Sequence, residues 1–276
     1  MKILIVGLGV IGGSLAKALK REKKARVYAI DQNEDSLLDA LSMGAIDGKA
    51  TTADIPQMDV IFLCLYPGDC LSFVSRHKEQ IAKGTIVTDV CGVKAELCRA
   101  LPKIAAENGF SYVAGHPMAG KEKSGFGSSD PSMFAGASYI LVDSGAPNEA
   151  VEIVVDLVNA MGFGRIVRTD AETHDKMIAF TSQLPHLLAC AYVMSPQCAA
   201  HQGFSAGSYR DVSRVADING SLWTRLFLEN REAVLEELDG FLQRLEEMKQ
   251  CMKEADAHRL EEMLHQAAEM KRRDRG

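Results

Sequence analysis

A glycine-rich loop close to the N-terminus limits the possible folds of this chain more than any other feature of the sequence. Gly7, Gly9 and Gly12 form the pattern GxGxxG, which follows the short apolar run of residues 2–6 and precedes a helical pattern. Glycine permits a tight turn at the first position, close approach of a pyrophosphate at the second and close helix–strand packing at the third. The pyrophosphate would lie against the N–H groups at the helix start. The pattern predicts a βαβ unit that binds a dinucleotide.

The choice among dinucleotides depends on Asp31, which ends the second predicted strand. A carboxylate there accepts hydrogen bonds from the hydroxyls of the adenosine ribose and repels a 2′-phosphate, so NAD is favoured over NADP. FAD binds through the same glycine pattern, and the loop alone leaves that alternative open. It also leaves open a glycine turn in some other α/β protein.

Candidate cofactor contacts lie at the carboxyl ends of the predicted strands, where parallel sheets bind their ligands. They are Gly7, Leu8, Gly9, Val10, Ile11, Gly12 and Asp31, followed by Cys64, Leu65, Pro67 and Cys91 just beyond the next two strands. Asp89, which precedes Cys91, has two open interpretations. It is either a crevice residue or a structural turn residue.

Strand-like and helical patterns alternate in the first part of the chain and predict a parallel, doubly wound sheet. Asn33 is expected to cap the second helix and Gly44 to end it. Pro102 is expected to break or kink a later helix. Beyond residue 170 only helical patterns occur, and their extended apolar faces predict a homodimer. We therefore expect an α/β fold, with a Rossmann-type NAD-binding domain over residues 1–170 and an all-α domain over residues 171–276.

Composition and charge exclude several classes of protein. Hydrophobic residues make up 47% of the chain and charged residues 25%, which is ordinary for a globular protein. The net charge of −6 argues against a nucleic-acid-binding surface. The seven cysteines form no CxxC pair and no Cys/His group at zinc spacing, so we expect buried thiols and no metal. No apolar run has the length of a membrane span or the form of a signal peptide, and we expect a cytoplasmic protein.

The strongest candidate for chemistry is His116, in the glycine-flanked loop AGHPMAGKEKSGF directly after a predicted strand. A neutral imidazole at that edge of the sheet is placed to accept a proton from a carbinol while a hydride leaves for the cofactor. The alternative is a purely structural histidine that shapes the turn before Pro117.

Five segments taken together carry a resemblance to a known family. They are GLGVIGGS, TDVCGVK, GHPMAGKEKSG, HDKMIAFTSQLPH and GSYRDVSRVADINGSLW followed by FLEN, in this order between residues 7 and 230. The chain resembles the prephenate/arogenate dehydrogenase family of tyrosine biosynthesis. The resemblance implies an oxidoreductase that carries out NAD-dependent oxidative decarboxylation of prephenate to 4-hydroxyphenylpyruvate. It leaves open arogenate as the substrate, which would give tyrosine directly, and dual specificity as a cyclohexadienyl dehydrogenase.

The resemblance also implies roles for individual residues. His116 matches the catalytic histidine, which hydrogen-bonds the ring hydroxyl. His186 matches a histidine that holds the substrate, Arg214 the arginine that binds a substrate carboxylate, and Trp223 the tryptophan that closes the pocket. A guanidinium suits a substrate with two carboxylates, because it is always charged and binds them in a fork geometry. Further positions that line the site in relatives are Ser182, Gly207 and Glu122.

The sequence departs from the family pattern at three positions. Gly92 stands where many relatives have a serine that orients the catalytic histidine, so here the backbone, a water molecule or Cys91 must position it. Gln183 replaces a histidine that relatives often carry. Lys121 either adds positive charge at the substrate entrance or points to water. His174 has two open interpretations, a structural residue at a helix start and a part of the pocket wall.

Two other classes of function compete with this one. A β-hydroxyacid or imine dehydrogenase on a similar scaffold would place a catalytic lysine on a helix of the second domain, and we find no candidate for it. A dinucleotide-binding regulator without catalysis would keep the glycine loop and Asp31. It would have no reason to combine His116, His186 and Arg214.

Overall fold

The first part of the chain is built around one eight-stranded sheet, in a computed structural model that describes residues 1–22, 25–120 and 123–274. The strands are β1 (Lys2–Val6), β2 (Arg26–Ile30), β3 (Gly48–Lys49), β4 (Val60–Leu63), β5 (Ile86–Asp89), β6 (Ser111–Pro117), β7 (Ser138–Val142) and β8 (Arg165–Thr169). In space they follow the order β3-β2-β1-β4-β5-β6-β7-β8. Neighbouring strands pair parallel except for β6 and β7.

The β6–β7 pair corrects the prediction of a parallel sheet at one place. These strands run antiparallel, and His116 pairs with Ile140. A parallel pair needs a crossover connection, which is usually a helix. The described residues between β6 and β7 form two short 3-10 turns, Phe126–Ser128 and Pro131–Phe134, and no α-helix. The chain therefore re-enters the sheet in the opposite direction, whereas β1 to β6 follow the predicted parallel arrangement.

Helices cover both faces of this sheet. They are α1 (Val10–Arg21), α2 (Glu34–Ser42), α3 (Pro67–His77), α4 (Ala95–Asn108) and α5 (Asn148–Ala160). Asn33 caps α2 by accepting the N–H of Ser36 at 3.2 Å, and Gly44 follows the helix with φ +67°. Both predicted ends of α2 are confirmed.

Helix α4 runs through Pro102, so the expected break is absent. A proline inside a helix removes one backbone hydrogen bond. Leu97, Leu101 and Ala105 are buried on one face of α4. Burial of side chains of this kind contributes about 1.5–3 kcal/mol for each leucine, which outweighs the single bond that Pro102 cannot make.

The sheet separates two apolar cores, because successive side chains of a strand point to opposite faces. In β1, Ile3 and Ile5 pack into the core under α1, α2 and α5, whereas Leu4 and Val6 pack into the core under α3 and α4. This two-sided burial fixes β1 in the middle of the sheet. It thereby fixes the start of the glycine loop at the carboxyl edge of the parallel strands.

The described residues from position 171 onward form helices and turns and no strand, as predicted. The helices are α6 (Ala171–Ile178), α7 (Leu184–Val193), α8 (Gly207–Ser213), α9 (Gly220–Glu229), α10 (Arg231–Glu254) and α11 (Ala257–Arg273). A π-helical turn, Ala179–Gln183, joins α6 to α7. Among the helices described, none has both the length and the apolar composition needed to cross a membrane.

Candidate active site

The glycine loop follows β1 at the carboxyl edge of the sheet, and each of its glycines has a different structural reason. Gly7 has φ +98°, and a Cβ on it would lie 2.5 Å from Cys64 O. A Cβ on Gly12 would lie 1.9 Å from Gly7 O. Around Gly9, by contrast, no described atom beyond its chain neighbours lies within 4 Å of where a Cβ would stand. This open start of helix α1 fits the pyrophosphate of a dinucleotide.

Asp31 holds the same loop from the end of β2. Its carboxylate accepts the N–H of Leu8 at 2.5 Å and the N–H of Asn33 at 2.7 Å. A carboxylate has about four acceptor positions. Asp31 can therefore fix the glycine loop and still accept hydrogen bonds from ribose hydroxyls, as the sequence predicts.

The segment after β4 lies against the glycine loop, with Pro67 at the start of α3. The thiol of Cys91 is buried beneath this segment, with its Sγ 3.5 Å from Leu65 O and 3.6 Å from Sγ of Cys70. The contact with Cys70, together with burial, raises the pKa of the Cys91 thiol well above its ordinary range. The thiol is therefore neutral and packs under the crevice.

His116 lies near the end of β6, and its partner is a second histidine. His116 Nδ1 is 2.9 Å from Nε2 of His174, and the two rings meet edge to face with their centroids 5.2 Å apart. Burial, the charge of Lys94 and the neighbouring His174 hold the pKa of His116 well below its ordinary value. The imidazole is therefore neutral near pH 7, as a proton acceptor requires.

The second histidine is itself held by a carboxylate. His174 Nδ1 lies 2.7 Å from Oδ1 of Asp175. The same carboxylate accepts the backbone N–H of Lys94 at 2.9 Å and that of Ala95 at 2.8 Å, at the start of α4. Of the two interpretations left open for His174, the structure favours a place in the site, because this buried side chain contacts His116.

A buried ion pair lies below the two histidines. The ammonium group of Lys94 is fully buried and donates hydrogen bonds to the carboxylate of Asp89 and to the carbonyl of Gly115, the residue before His116. Asp89 also accepts the hydroxyl of Tyr112 at 2.7 Å. Asp89 is therefore a structural residue that helps to fix the end of β6.

Gly92 lies beside the edge of the His116 ring that carries Nε2. A Cβ on Gly92 would lie 3.9 Å from Nε2 of His116 and 3.7 Å from a methyl carbon of Leu226. A serine side chain would thus fit at this position next to Nε2. In this chain the histidine is held from its other nitrogen, by His174, instead of by the serine hydroxyl or by Cys91.

Helices α7 and α9 bring two further predicted residues together. His186 donates from Nδ1 to the carbonyl of Ser182 at 2.7 Å. Its ring stacks on Trp223, with centroids 3.7 Å apart and an angle of 26° between the planes. Leu226, three residues after Trp223 on α9, is the residue that approaches Gly92. Helix α9 thus spans from the His186–Trp223 stack to the edge of the sheet that carries His116.

Gln183, where relatives often have a histidine, is buried in a hydrogen-bond network. Its Nε2 donates to Leu226 O at 2.8 Å, and its Oε1 accepts from Nδ2 of Asn230 at 2.6 Å. Asn230 also donates to the backbone carbonyl of Asp175 at 2.8 Å. Gln183 therefore ties the π-helical turn to α9 and α10 and supports the residues around it.

The remaining predicted substrate residues lie farther along the helical part. Arg214 begins a 3-10 turn, Arg214–Ala216, that packs against α7, and its side chain is exposed. Gly207 begins α8. Glu122 and Lys121 lie outside the described residues.

Comparison with protein families matches nearly the whole chain. The model of the prephenate dehydrogenase nucleotide-binding domain matches residues 15–167, and that of the prephenate dehydrogenase dimerization domain matches residues 170–266. The chain belongs to the prephenate dehydrogenase family.

Relatives in the prephenate dehydrogenase family align over most of their own length. A prephenate dehydrogenase of Lactococcus lactis is 28% identical, and the alignment covers 98% of this chain and 76% of the relative's length. A cyclohexadienyl dehydrogenase of Zymomonas mobilis is 29% identical, and the alignment covers 92% of this chain and 89% of the relative's length. The crystal structure of prephenate dehydrogenase from Aquifex aeolicus, in complex with hydroxyphenyl propionate and NAD+, has a TM-score of 0.88 at 28% identity. The superposition covers 100% of this chain and 98% of the Aquifex aeolicus chain.

In this member of the prephenate dehydrogenase family, the sequence does not predict the part that three residues near His116 play in the site. Lys94 and Asp175 were missed, and His174 was given two interpretations. The available signal was that polar residues end the segments TDVCGVK and AETHD, both next to predicted site segments. That signal shows where the residues lie along the chain and does not show what they contact.

Proposed function

We propose that this chain is an NAD-dependent dehydrogenase that oxidatively decarboxylates prephenate to 4-hydroxyphenylpyruvate in tyrosine biosynthesis. The observation that carries the proposal is the neutral imidazole of His116, whose Nε2 lies 3.9 Å from where a Cβ on Gly92 would stand. This nitrogen lies at the carboxyl edge of a sheet whose first loop is shaped for a dinucleotide.

The cofactor would be held by the glycine loop and by the loops after the neighbouring strands. Gly9 leaves room for the pyrophosphate, and the carboxylate of Asp31, which accepts the N–H of Leu8 in the glycine loop, would accept hydrogen bonds from the ribose hydroxyls. The other residues proposed to line this site are Gly7, Leu8, Val10, Ile11, Gly12, Cys64, Leu65, Pro67 and the backbone of Cys91. NAD supplies a hydride acceptor when bound, and the Aquifex aeolicus relative was solved with NAD+.

The substrate would be held by residues of the helical part. Arg214 is the proposed partner of a carboxylate, because its guanidinium forms paired charge-assisted hydrogen bonds. His186, stiffened by its stack on Trp223, is the proposed second anchor. The proposed lining is completed by Ser182, Gly207 and Glu122.

The chemistry that these residues support is one proton transfer coupled to hydride loss. His116 accepts the proton of the ring hydroxyl at Nε2 while the hydride leaves the carbon that bears this hydroxyl, and a carbon–oxygen double bond forms. The bond from the ring to its carboxylate then breaks, its electrons enter the ring, and carbon dioxide leaves. The resulting phenolate oxygen takes back the proton from His116 and becomes the phenol hydroxyl. Because aromatisation drives the reaction, the protein mainly orients the reactants and holds the proton.

Arogenate is the second candidate substrate, and the Zymomonas mobilis relative is the observation that favours it. That relative is named a cyclohexadienyl dehydrogenase, and it matches most of this chain. Dual specificity for prephenate and arogenate is therefore the alternative to strict use of prephenate.

The test is to incubate the protein with NAD and prephenate, and separately with NAD and arogenate, and to follow NADH. We expect NADH and 4-hydroxyphenylpyruvate from prephenate. Faster NADH formation from arogenate would replace the proposed substrate, and no NADH from either would overturn the proposed function. NADP in place of NAD is the matched control for the cofactor, and we expect it to support little turnover.

We further propose the arrangement of the whole protein. Residues 1–170 would form the NAD-binding domain, and residues 171–276 would bind the substrate and join two chains into a homodimer in the cytoplasm. The name of the dimerization-domain family and the exposed Phe204 and Met194 support the dimer. Sedimentation should give a mass of about twice the 30.0 kDa of one chain. A mass of one chain would overturn this part.

A further inference from the structure

We propose that His174 and Asp175 are positioning residues that fix which nitrogen of His116 carries its proton, and that His174 shares the proton which His116 accepts during turnover. The reaction in this proposal rests on the proposed function, whereas the tautomer of His116 does not. The observation is a continuous row of side chains, His116, His174 and Asp175, joined by contacts of 2.9 and 2.7 Å.

The hydrogen-bonding capacity of each side chain in this row determines which nitrogen atoms carry a proton. An ionised carboxylate only accepts hydrogen bonds, so Nδ1 of His174 must donate to Asp175. Neutral His174 then carries its lone pair on Nε2 and accepts from Nδ1–H of His116. The lone pair of His116 is left on Nε2, because one nitrogen of a neutral imidazole donates and the other accepts.

That lone pair lies on the side of the ring next to Gly92, where the proposed reaction places the substrate hydroxyl. Nε2 of His116 is 3.9 Å from where a Cβ on Gly92 would stand, and Leu226 borders the same position. The opposite tautomer would direct an N–H group at the hydroxyl and leave no acceptor there. The row therefore determines whether His116 is a base at the position where the reaction needs one.

Asp175 is itself held in a fixed orientation. Its two oxygens accept the backbone N–H groups of Lys94 and Ala95, at the first turn of α4. Partial positive charge at a helix start stabilises a carboxylate. The carboxylate cannot rotate away from His174 without breaking these two bonds.

The charges around the two imidazoles are unequal. The charged groups that act on them are Lys94, from the loop before α4, and Asp175, from α6. The carboxylate of Asp89 is paired with Lys94. Lys94 disfavours a cation on His116, whereas Asp175 adjoins His174 directly. Positive charge in the row is therefore better placed on His174.

Two bond changes move the charge there. The substrate O–H bond breaks as an N–H bond forms at Nε2 of His116, and the Nδ1–H bond of His116 breaks as an N–H bond forms at Nε2 of His174. His116 ends neutral, and His174 ends as a cation against Asp175. Because His174 is buried, the proton returns through His116 when the product leaves.

The first experiment needs no substrate. Nitrogen-15 NMR of histidine-labelled protein at neutral pH, with His116 assigned through His116→Asn, reports which nitrogen carries the proton. We expect the Nδ1–H form for His116 in the wild-type protein and a shift toward the Nε2–H form in Asp175→Asn. An Nε2–H form of His116 in the wild type, or no change in Asp175→Asn, would overturn the positioning role.

The second experiment measures kcat, KM and the pH profile with NAD and prephenate. Asp175→Asn should lower kcat on the order of 10²–10³-fold with KM within about threefold, and it should move the acid limb of kcat to lower pH. The matched control is Asp170→Asn, which removes a carboxylate from the exposed start of the same helix and should leave all three quantities unchanged. A lower kcat with an unmoved acid limb would show a merely structural residue.

A third variant separates two roles of His174: it orients the imidazole of His116, and it accepts the proton from His116. In His174→Gln the side-chain oxygen can still accept from Nδ1–H of His116, but it cannot become a cation, and Asp175 keeps its bonds to α4. We expect the His116 tautomer to be retained and kcat to fall at least about tenfold. Wild-type kcat in this variant would overturn the proton-sharing step. If the wild-type protein forms no NADH, the proposed function fails, while the NMR result still decides the tautomer.

Discussion

At the scale of single residues, the site depends on a neutral imidazole beside a buried ammonium group. Burial, the charge of Lys94 and the neighbouring His174 lower the pKa of His116, and Lys94 also donates to the carbonyl of Gly115, one residue earlier. The Lys94 side chain therefore helps to fix the strand end and, together with burial, favours the neutral form of His116.

Replacement of the base should affect the chemical step more than binding. In His116→Asn the side chain can still form a hydrogen bond but cannot take a proton. We expect kcat to fall by about 10²–10⁴-fold with a small change in KM, measured by steady-state NADH formation. A variant with wild-type kcat would contradict the assignment of His116 as the base.

The pH profile of the wild-type enzyme should reflect the lowered pKa of His116. The neutral form is the active one, so kcat is lost as the pH falls through this pKa and is retained above it. Because burial, Lys94 and His174 hold the pKa well below the ordinary value of 6.5, the acid limb of kcat should lie below pH 6.5. An acid limb at or above that pH would contradict the environment described for His116.

Removal of the ammonium group should destabilise the fold. Lys94→Met leaves the buried carboxylate of Asp89 without its charge partner, which costs about 3–5 kcal/mol of unfolding free energy. Lys103→Met, at an exposed position of α4, is the matched control and should change stability by no more than about 0.5 kcal/mol. Urea unfolding measures both, and equal stabilities of the two variants would refute the role of the ion pair.

At the scale of elements, the π-helical turn Ala179–Gln183 shapes the second half of the site. Pro185 lies just beyond it and cannot donate a backbone hydrogen bond to the preceding turn. A π-helical turn re-routes the backbone bonds at such a place and is frequent at functional sites. It leads into α7 with His186 in the first turn of that helix, where it stacks on Trp223 of α9.

The network of Gln183 should hold these elements together. In Gln183→Ala one N–H of the buried Asn230 amide loses its acceptor, which costs about 1–3 kcal/mol, whereas the carbonyl of Leu226 keeps the backbone N–H of Asn230. Gln250→Ala on α10 removes only an exposed contact with Glu254 and is the control. Thermal unfolding should show a clear loss for the first variant and little change for the second. Similar losses in both would exclude a special role for the network.

At the scale of the whole molecule, the site draws on both parts of the chain. The sheet carries the glycine loop, Asp31 and His116, whereas the helical part carries His174, His186 and the other proposed substrate residues. Leu226 on α9 meets the sheet edge at Gly92. Substrate affinity is therefore assigned to the helical part, whereas the chemical step is assigned to His116 at the sheet edge with His174 beside it, and substitutions should separate the two effects.

Arg214→Ala tests this separation. Loss of the proposed carboxylate partner should raise KM with a smaller effect on kcat, corresponding to about 2–5 kcal/mol if the charge pair is desolvated. Arg210→Ala, four residues earlier on α8 and also exposed, is the matched control and should leave KM unchanged. An unchanged KM in Arg214→Ala would remove Arg214 from the substrate site.

The sequence by itself determined what depends on neighbours along the chain. The glycine loop, the two ends of α2 and the alternation of strands and helices follow from local backbone preferences and from apolar periodicity. The motifs also identified the family. These features need no knowledge of distant residues, because turn geometry, capping and amphipathic patterns are set within a few positions.

The tertiary structure alone decided which distant side chains meet. His116 and His174 are 58 residues apart in sequence, and Lys94 and Asp175 are 81 apart. Such contacts leave no local periodicity. The antiparallel β7 and the unbroken α4 likewise depend on how strands and apolar faces pack together. The sequence thus singled out His116 as the proposed base. Only the packing of α6 against the start of α4 and the end of β6 brought His174 into contact with it and placed Lys94 nearby.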